Sequence, residues 1–273
     1  MILSDVTIGF VGFGKIASAI WESLVRHQAI PHNQVVFCTK HLQTQKKIAL
    51  KYGLTAVSID TLVRKSQLII LATKPQDIGD ALSEFPKNVL HINQLVLSVL
   101  AGTSIAYLES KLGSNIPIMR AMPNLPCAIG EGITALTFNK QVTLPFQLLS
   151  HQLFTYCGHV LDVKEKDLNT ITALSGSGPA FFARLLHAMA SEAEQQGLAY
   201  EIALKFLTQT LVGTGRFLQE TGTFPMELVA EVSSPNGTTQ AGLSVFDQTK
   251  IEDHIKQVLQ ASARRAHLLS IDP

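Results

Sequence analysis

The 273-residue sequence predicts an α/β protein in two parts, a doubly wound parallel sheet over residues 1–162 and an all-helical domain over residues 163–273. Three observations predict it. A β-rich apolar run within Val6–Ile20 ends in closely spaced glycines and turns directly into helical pattern. Short, uninterrupted apolar runs then alternate with helical stretches, as parallel strands buried on both faces require. Beyond about Val163 such runs stop and helix-period pattern alone remains.

In chain order, the opening strand ends at Gly12, Gly14 and Ala17, which stand at the G-x-G-x-x-G/A spacing. That spacing gives a tight strand-to-helix turn, close backbone approach to a pyrophosphate, and close helix packing on the sheet, so the sheet reads as Rossmann-type. The anion would sit on the N-terminus of the helix Lys15–His27, with Lys15 and Ile16 in its first turn. Gln34–Cys38 reads as the second strand, and Gln43–Tyr52 as a helix closed by Gly53. Leu68–Thr73, Leu95–Val99 and Ile116–Met119 are the next strands. Loops after such strands open onto a ligand crevice, which points to Thr73, Lys74 and Pro75, to Ala101 and Gly102, and to Arg120, Met122, Pro123 and Asn124. At the end of the second strand a site for NAD would carry Asp or Glu to accept the ribose 2′-OH; here Thr39 and Lys40 stand instead. A hydroxyl and a cation suit a 2′-phosphate, so NADPH is expected, with NADH the weaker partner.

Composition limits the partners. A formal net charge of +1 provides no field for gathering polyanions, so neither nucleic acid nor a membrane surface is expected, and a small-molecule substrate fits. No basic segment followed by an apolar stretch opens the chain, and the longest apolar runs, near Leu68 and Leu95, are far too short to span a bilayer. Cys38, Cys127 and Cys157 are odd in number and lack C-x-x-C spacing, which predicts neither a disulfide framework nor a metal site. A cytoplasmic protein is expected.

In the helical domain Ser177 can cap a helix whose first turn holds Pro179 and which keeps Phe182, Leu185, Leu186, Met189 and Ala193 on one face, ending near Gly197. Tyr200–Thr221 follows, with Gly213 and Gly215 allowing another backbone to approach. Pro225–Val232, Thr238–Thr249 and Ile251–Leu269 are the remaining helices, and Ser233–Gly237 is a loop. Their amphipathic faces exceed what they can cover among themselves, so a second subunit is expected.

These residues resemble the pyrroline-5-carboxylate reductases along the whole chain. The resemblance rests on Gly9-Phe-Val-Gly-Phe-Gly14, Ala72-Thr-Lys-Pro-Gln76, Arg120-Ala-Met-Pro-Asn124, Thr172-Ala-Leu-Ser-Gly-Ser-Gly-Pro-Ala180 and Val232-Ser-Ser-Pro-Asn-Gly-Thr-Thr239 with Gly242-Leu243 and Phe246-Asp247. It implies reduction of the cyclic imine 1-pyrroline-5-carboxylate to proline by NAD(P)H, and a homodimer with intertwined helical domains that some members assemble into larger rings. Ser234, Asn236, Gly237, Thr238 and Thr239, leading into a helix, then form a receptor for the substrate carboxylate, with Ser177, Gly178 and Pro179 as the opposite wall. Thr239 matches the threonine near the imine nitrogen; a plain helix-start hydroxyl is the alternative. The chain departs from the usual pattern at Lys15, Ile16, Asn169, Phe181 and Asn236. Rival readings are a reductase of the six-membered homologue, a hydroxyacid dehydrogenase, and a non-catalytic NADP-binding sensor.

Overall fold

The computed structural model describes residues 2–87 and 89–271. The first half consists of β1 (Ile8–Val11), α1 (Lys15–Arg26), β2 (Val35–Cys38), α2 (Leu42–Tyr52), β3 (Thr55–Ala56), α3 (Ile59–Lys65), β4 (Leu68–Leu71), α4 (Ile78–Ser83), β5 (Leu95–Ser98), α5 (Ile105–Leu112), β6 (Ile118–Met122), β7 (Gly132–Phe138), α6 (Leu144–Thr155) and β8 (Gly158–Asp162). Among the described residues the strands form one sheet, ordered β3-β2-β1-β4-β5-β6-β7-β8. All neighbours pair in parallel except β6 and β7.

The uninterrupted apolar runs are explained by the two cores. Ile8, Phe10, Leu68, Ile70, Leu95 and Leu97 pack into one, with Trp21 and Leu24 of α1. Their alternates Val11, Ile69, Leu71 and Val96 pack into the other, with Leu62, Leu82 and Leu108 of the helices on the opposite face. A strand covered on both sides has no solvent face and therefore no polar alternation.

Two expectations are corrected here. The strand expected to end at Met119 runs to Met122, because β7 pairs antiparallel with it from Met119↔Phe138 to Met122↔Ala135. Arg120 is thereby a buried strand residue, not part of a loop. The elements β7, α6 and β8, to which the sequence reading assigned nothing, extend the sheet beyond its doubly wound half.

The second half consists of α7 (Leu168–Ile171), a π turn (Thr172–Gly176), α8 (Gly178–Gln195), α9 (Tyr200–Thr221), α10 (Pro225–Glu231), α11 (Thr238–Thr249) and α12 (Ile251–Ile271). Ser177 is not the expected helix cap: its backbone is helical, φ −89° and ψ −23°, and its N–H donates to the Thr172 carbonyl, so α7 runs into α8 through the π turn. The chain divides into two compact units, Met1–Ser177 with Ala261–Pro273, and Gly178–Gln260. The expected boundary at 162/163 precedes this division. Residues 163–177 stay with the sheet because Leu168, buried, packs with Met122 and Ala135, and Glu165 binds Arg120.

The second unit is thinly covered. Gly178 and Ala190 are the buried residues of α8 and Ala203 that of α9; α10 and α11 have none. Phe182, Leu185, Met189 and Phe206 are each more than half exposed. Nothing among the described residues lies within 4 Å of a Cβ built on Gly213 or Gly215, so they do not fill the room these glycines leave.

Candidate active site

Chain reversal in the strand order occurs between β1 and β4, and the crevice at such a switch point is where α/β sheets bind ligands. Gly12 turns there with φ +84°, and a Cβ on it would lie 2.6 Å from the Thr73 N and 2.7 Å from the Ala72 carbonyl, so only glycine fits. Its N–H donates to the Cys38 carbonyl, and the Ala72 N–H to that of Val11, which ties the ends of β1, β2 and β4 together. Gly14 is the N-cap of α1, and no side chain caps that helix. A Cβ there would meet only the Ala72 oxygen, at 4.0 Å. The turn is thus a backbone cradle at a positive helix end, open to an anion. Ala17 is fully buried and Ile16 packs against the same core, so both serve helix–sheet packing, while Lys15 is exposed beside the cradle. The Thr73 Oγ1 is buried without a hydrogen-bond partner, an orphaned polar atom at the strand end that a bound ligand would satisfy. Lys74 is exposed, and Pro75 opens the 3-10 turn that leads into α4.

At the end of β2, Lys40 Nζ lies 3.4 Å from Asp80 Oδ2 of α4, with both side chains mostly exposed. The Thr39 hydroxyl donates weakly to the His41 carbonyl at 3.4 Å. Burial pushes the Cys38 thiol up to about 11, so it stays protonated and inert.

Several expected crevice residues have structural work in the fold. Gly102, φ +79°, lies against Leu269 of α12: a Cβ would come 2.6 Å from that residue's carbonyl carbon. Packing against the C-terminal helix, rather than approach of a cofactor, accounts for this glycine; Ala101 beside it is half-buried. Met122, Pro123 and Asn124 are buried, and the Asn124 Oδ1 accepts the Ile133 N–H at 3.0 Å, fixing the start of β7. Arg120 is only 5% exposed in its side chain and donates from Nη1 to Glu165 Oε1 at 2.8 Å. The same carboxylate oxygen accepts the Ile105 N–H at the start of α5, also at 2.8 Å. Arg120 is therefore a structural ion pair and not a crevice cation. Ser177 Oγ meets Ser262 Oγ of α12 at 3.1 Å.

In the second unit, residues 233–237 form a tight turn into α11. Asn236 adopts φ +56°, the left-handed conformation that Asn tolerates best among residues with a side chain, which explains how it serves where the family commonly has Gly. Gly237 is the N-cap of α11, and a Cβ on it would run into the Ser234 side chain. No side chain caps this helix; Gln240 reaches back to the Asn236 N–H at 2.7 Å. Thr238 is exposed and Thr239 half-buried, at the first and second helical positions. Thr239 is thus not the N-cap but a first-turn residue of α11. Ser234, Thr238 and Thr239 stand with the free N–H groups at one helix end, while Gly178 and Pro179 begin α8.

Residues 165–269 match the family described as pyrroline-5-carboxylate reductase dimerisation, and residues 7–102 match that described as NADP oxidoreductase, coenzyme F420-dependent. Pyrroline-5-carboxylate reductase 1 of Bacillus spizizenii is 32% identical over 274 residues, covering 99% of this chain and 92% of that protein. The chain belongs to the pyrroline-5-carboxylate reductase family. The NADP-bound pyrroline carboxylate reductase of Plasmodium falciparum superposes with a TM-score of 0.90 at 25% identity, over 98% of this chain and 99% of that one. The enzyme from Streptococcus pyogenes gives 0.88 at 30% identity, over 96% and 98%. As a pyrroline-5-carboxylate reductase family member the chain is an oxidoreductase with a Rossmann-type domain and a dimerisation domain. Sequence reasoning missed two charged residues of its crevice half, Asp80 and Glu165. Each meets a partner 40 or 45 residues away, and no local pattern marks such a pairing.

Proposed function

We propose that this chain reduces 1-pyrroline-5-carboxylate to proline with NADPH, and with NADH less well. The observation that carries this reading is the end-to-end similarity to pyrroline-5-carboxylate reductases, 32% identity over 99% of the chain. When bound, NADPH would supply a hydride; the cradle of Gly12 and Gly14 at the start of α1 would hold its pyrophosphate, and Thr39 and Lys40 would bind its 2′-phosphate. Thr73, Lys74, Pro75, Ala101, Met122, Pro123 and Asn124 are the further residues that would meet the cofactor. Ser234, Asn236, Gly237 and Thr238, with the free N–H groups of α11, receive the substrate carboxylate, because an uncapped helix N-terminus favours a negative group. The Thr239 hydroxyl would hydrogen-bond the imine nitrogen of the bound substrate. A cyclic imine can arrive protonated, so positioning matters more than a strong acid. Ser177, Gly178 and Pro179 would also contact the substrate, and the family match that begins at residue 165 supports a functional boundary of the helical domain at 162/163.

The test is oxidation of NADPH by the purified chain with racemic pyrroline carboxylate, with proline measured as product. NADPH binding without proline at saturating substrate would favour a sensor, and faster turnover of the six-membered ring would move the substrate assignment.

The working form is a homodimer joined through the helical domain. The apolar faces of α8 and α9, with Gly213 and Gly215 open for a close backbone approach, are the supporting observation. Sedimentation at micromolar concentration should show a dimer or a larger ring built from it; a folded, active monomer would contradict this. No helix among the described residues is long and apolar enough to cross a membrane. Three buried free cysteines suit the reducing cytoplasm, which is the proposed location.

A further inference from the structure

We infer that Asp80 sets the preference between NADPH and NADH by occupying Lys40, the cation that would otherwise be free for the 2′-phosphate. The inference rests on the NADPH reading above and adds to it a residue on a different element. Lys40 Nζ lies 3.4 Å from Asp80 Oδ2, and the two side chains are 64% and 77% exposed. A pair so open to water is weak and exchangeable, so a dianionic phosphate displaces the carboxylate instead of being shut out. The displacement still costs the phosphate part of what Lys40 would give it, and NADH, which has no 2′-phosphate, loses nothing.

The fold makes this a built arrangement. Pro75 starts the 3-10 turn Pro75–Asp77, which sets α4 beside the ends of β2 and β4. Asp80 lies in the first turn of α4, which brings its carboxylate to the Lys40 ammonium. A carboxylate of α4 therefore meets the strand end whose own residues, Thr39 and Lys40, favour a phosphate. A carboxylate at this place is what an NAD site usually carries on the second strand itself; here it comes from α4, forty residues on.

The experiment titrates the intact protein with adenosine 2′,5′-bisphosphate and with adenosine 5′-monophosphate, by calorimetry at low salt where charge effects are least screened. Asp80→Asn is expected to tighten the bisphosphate roughly three- to tenfold and to leave the monophosphate unchanged. In a Lys40→Met background most of that gain should disappear, since the carboxylate acts through the lysine. An equal change for both nucleotides, no change for either, or an undiminished gain without Lys40 would each overturn the inference. Binding of these fragments is independent of turnover. A chain that fails to make proline can therefore still pass this test, and an active reductase can fail it.

Discussion

Replacing Glu165 by alanine is expected to lower the thermal midpoint by roughly 4–8 °C, the equivalent of about 2 kcal/mol in a chain of this size. The Glu165 carboxylate oxygen takes two donors at 2.8 Å, the Arg120 Nη1 and the Ile105 N–H. Removing it leaves a guanidinium that is 5% exposed without its counter-charge, and Arg120 Nε already lacks a partner. A fully buried uncompensated charge costs about 3–5 kcal/mol, and the loss here is smaller because Glu165 itself remains about one-third exposed and water can reach the gap. Glu165→Gln keeps an acceptor for Ile105 and should lose roughly half as much. The double variant Arg120→Met, Glu165→Leu should recover most of the loss, because an apolar pair needs no desolvated charge. Differential scanning calorimetry of the four proteins decides it. A double variant no more stable than Glu165→Ala would mean that the Ile105 contact, and not the ion pair, holds the junction.

That junction shows where sequence reading reaches its limit. The strands β1, β2, β4 and β5 were legible because both faces of each are buried, which forces runs such as Leu68-Ile-Ile-Leu71. The turn at Gly12 was legible because its φ of +84° and the backbone of Ala72 and Thr73 against it exclude a side chain. Helices α8, α9, α11 and α12 were legible from apolar period and end signals. Beyond β6 these signals fail: among the described residues β7 is the one antiparallel partner in the sheet, and its pairing to β6 over Met119–Met122 follows an intervening loop. The same pairing turned Arg120 from an expected loop cation into a buried strand residue. Gly102 was correctly marked as special but for a different reason, since Leu269, far along the chain, fills the space beside it. At Ser177 the cap signal Ser-x-Pro was overridden by a π turn, a feature with no sequence signature of its own, though one frequent at functional sites. In the second unit the residues at the start of α11 were legible as a group, because Asn236 and Gly237 announce a turn and the threonines follow at fixed helical positions.

The Thr239→Ala variant is expected to lower kcat about ten- to a hundredfold, the loss of one hydrogen bond on the order of 1–3 kcal/mol in the transition state. The position of Thr239 sharpens this expectation. Gly237 is the N-cap of α11, so Thr239 is the second helical residue and its hydroxyl caps nothing. Alanine has the higher intrinsic helix propensity and no capping bond is lost with the hydroxyl, so thermal stability should barely move. Binding of NADPH should also be unchanged, since the cradle of Gly12 and Gly14 lies at the start of α1 and not at that of α11. A bond that strengthens only as hydride arrives appears in kcat and in kcat/KM alike; one made equally to bound substrate appears in KM alone. The first pattern is expected, because the imine nitrogen changes from a delocalised cation to an amine during the step, and its hydrogen-bonding demand changes with it. Turnover should persist at the lower rate, since carboxylate anchoring at Ser234 and Thr238 and the cofactor's own reactivity remain. Thr239→Ser retains the hydroxyl and should recover much of the rate, while Thr239→Val keeps the shape without the hydroxyl and should not. Steady-state kinetics with melting curves on the three variants separate the cases. An unchanged kcat in Thr239→Ala would take the residue out of the catalytic step and leave the helix end to act through its backbone N–H groups.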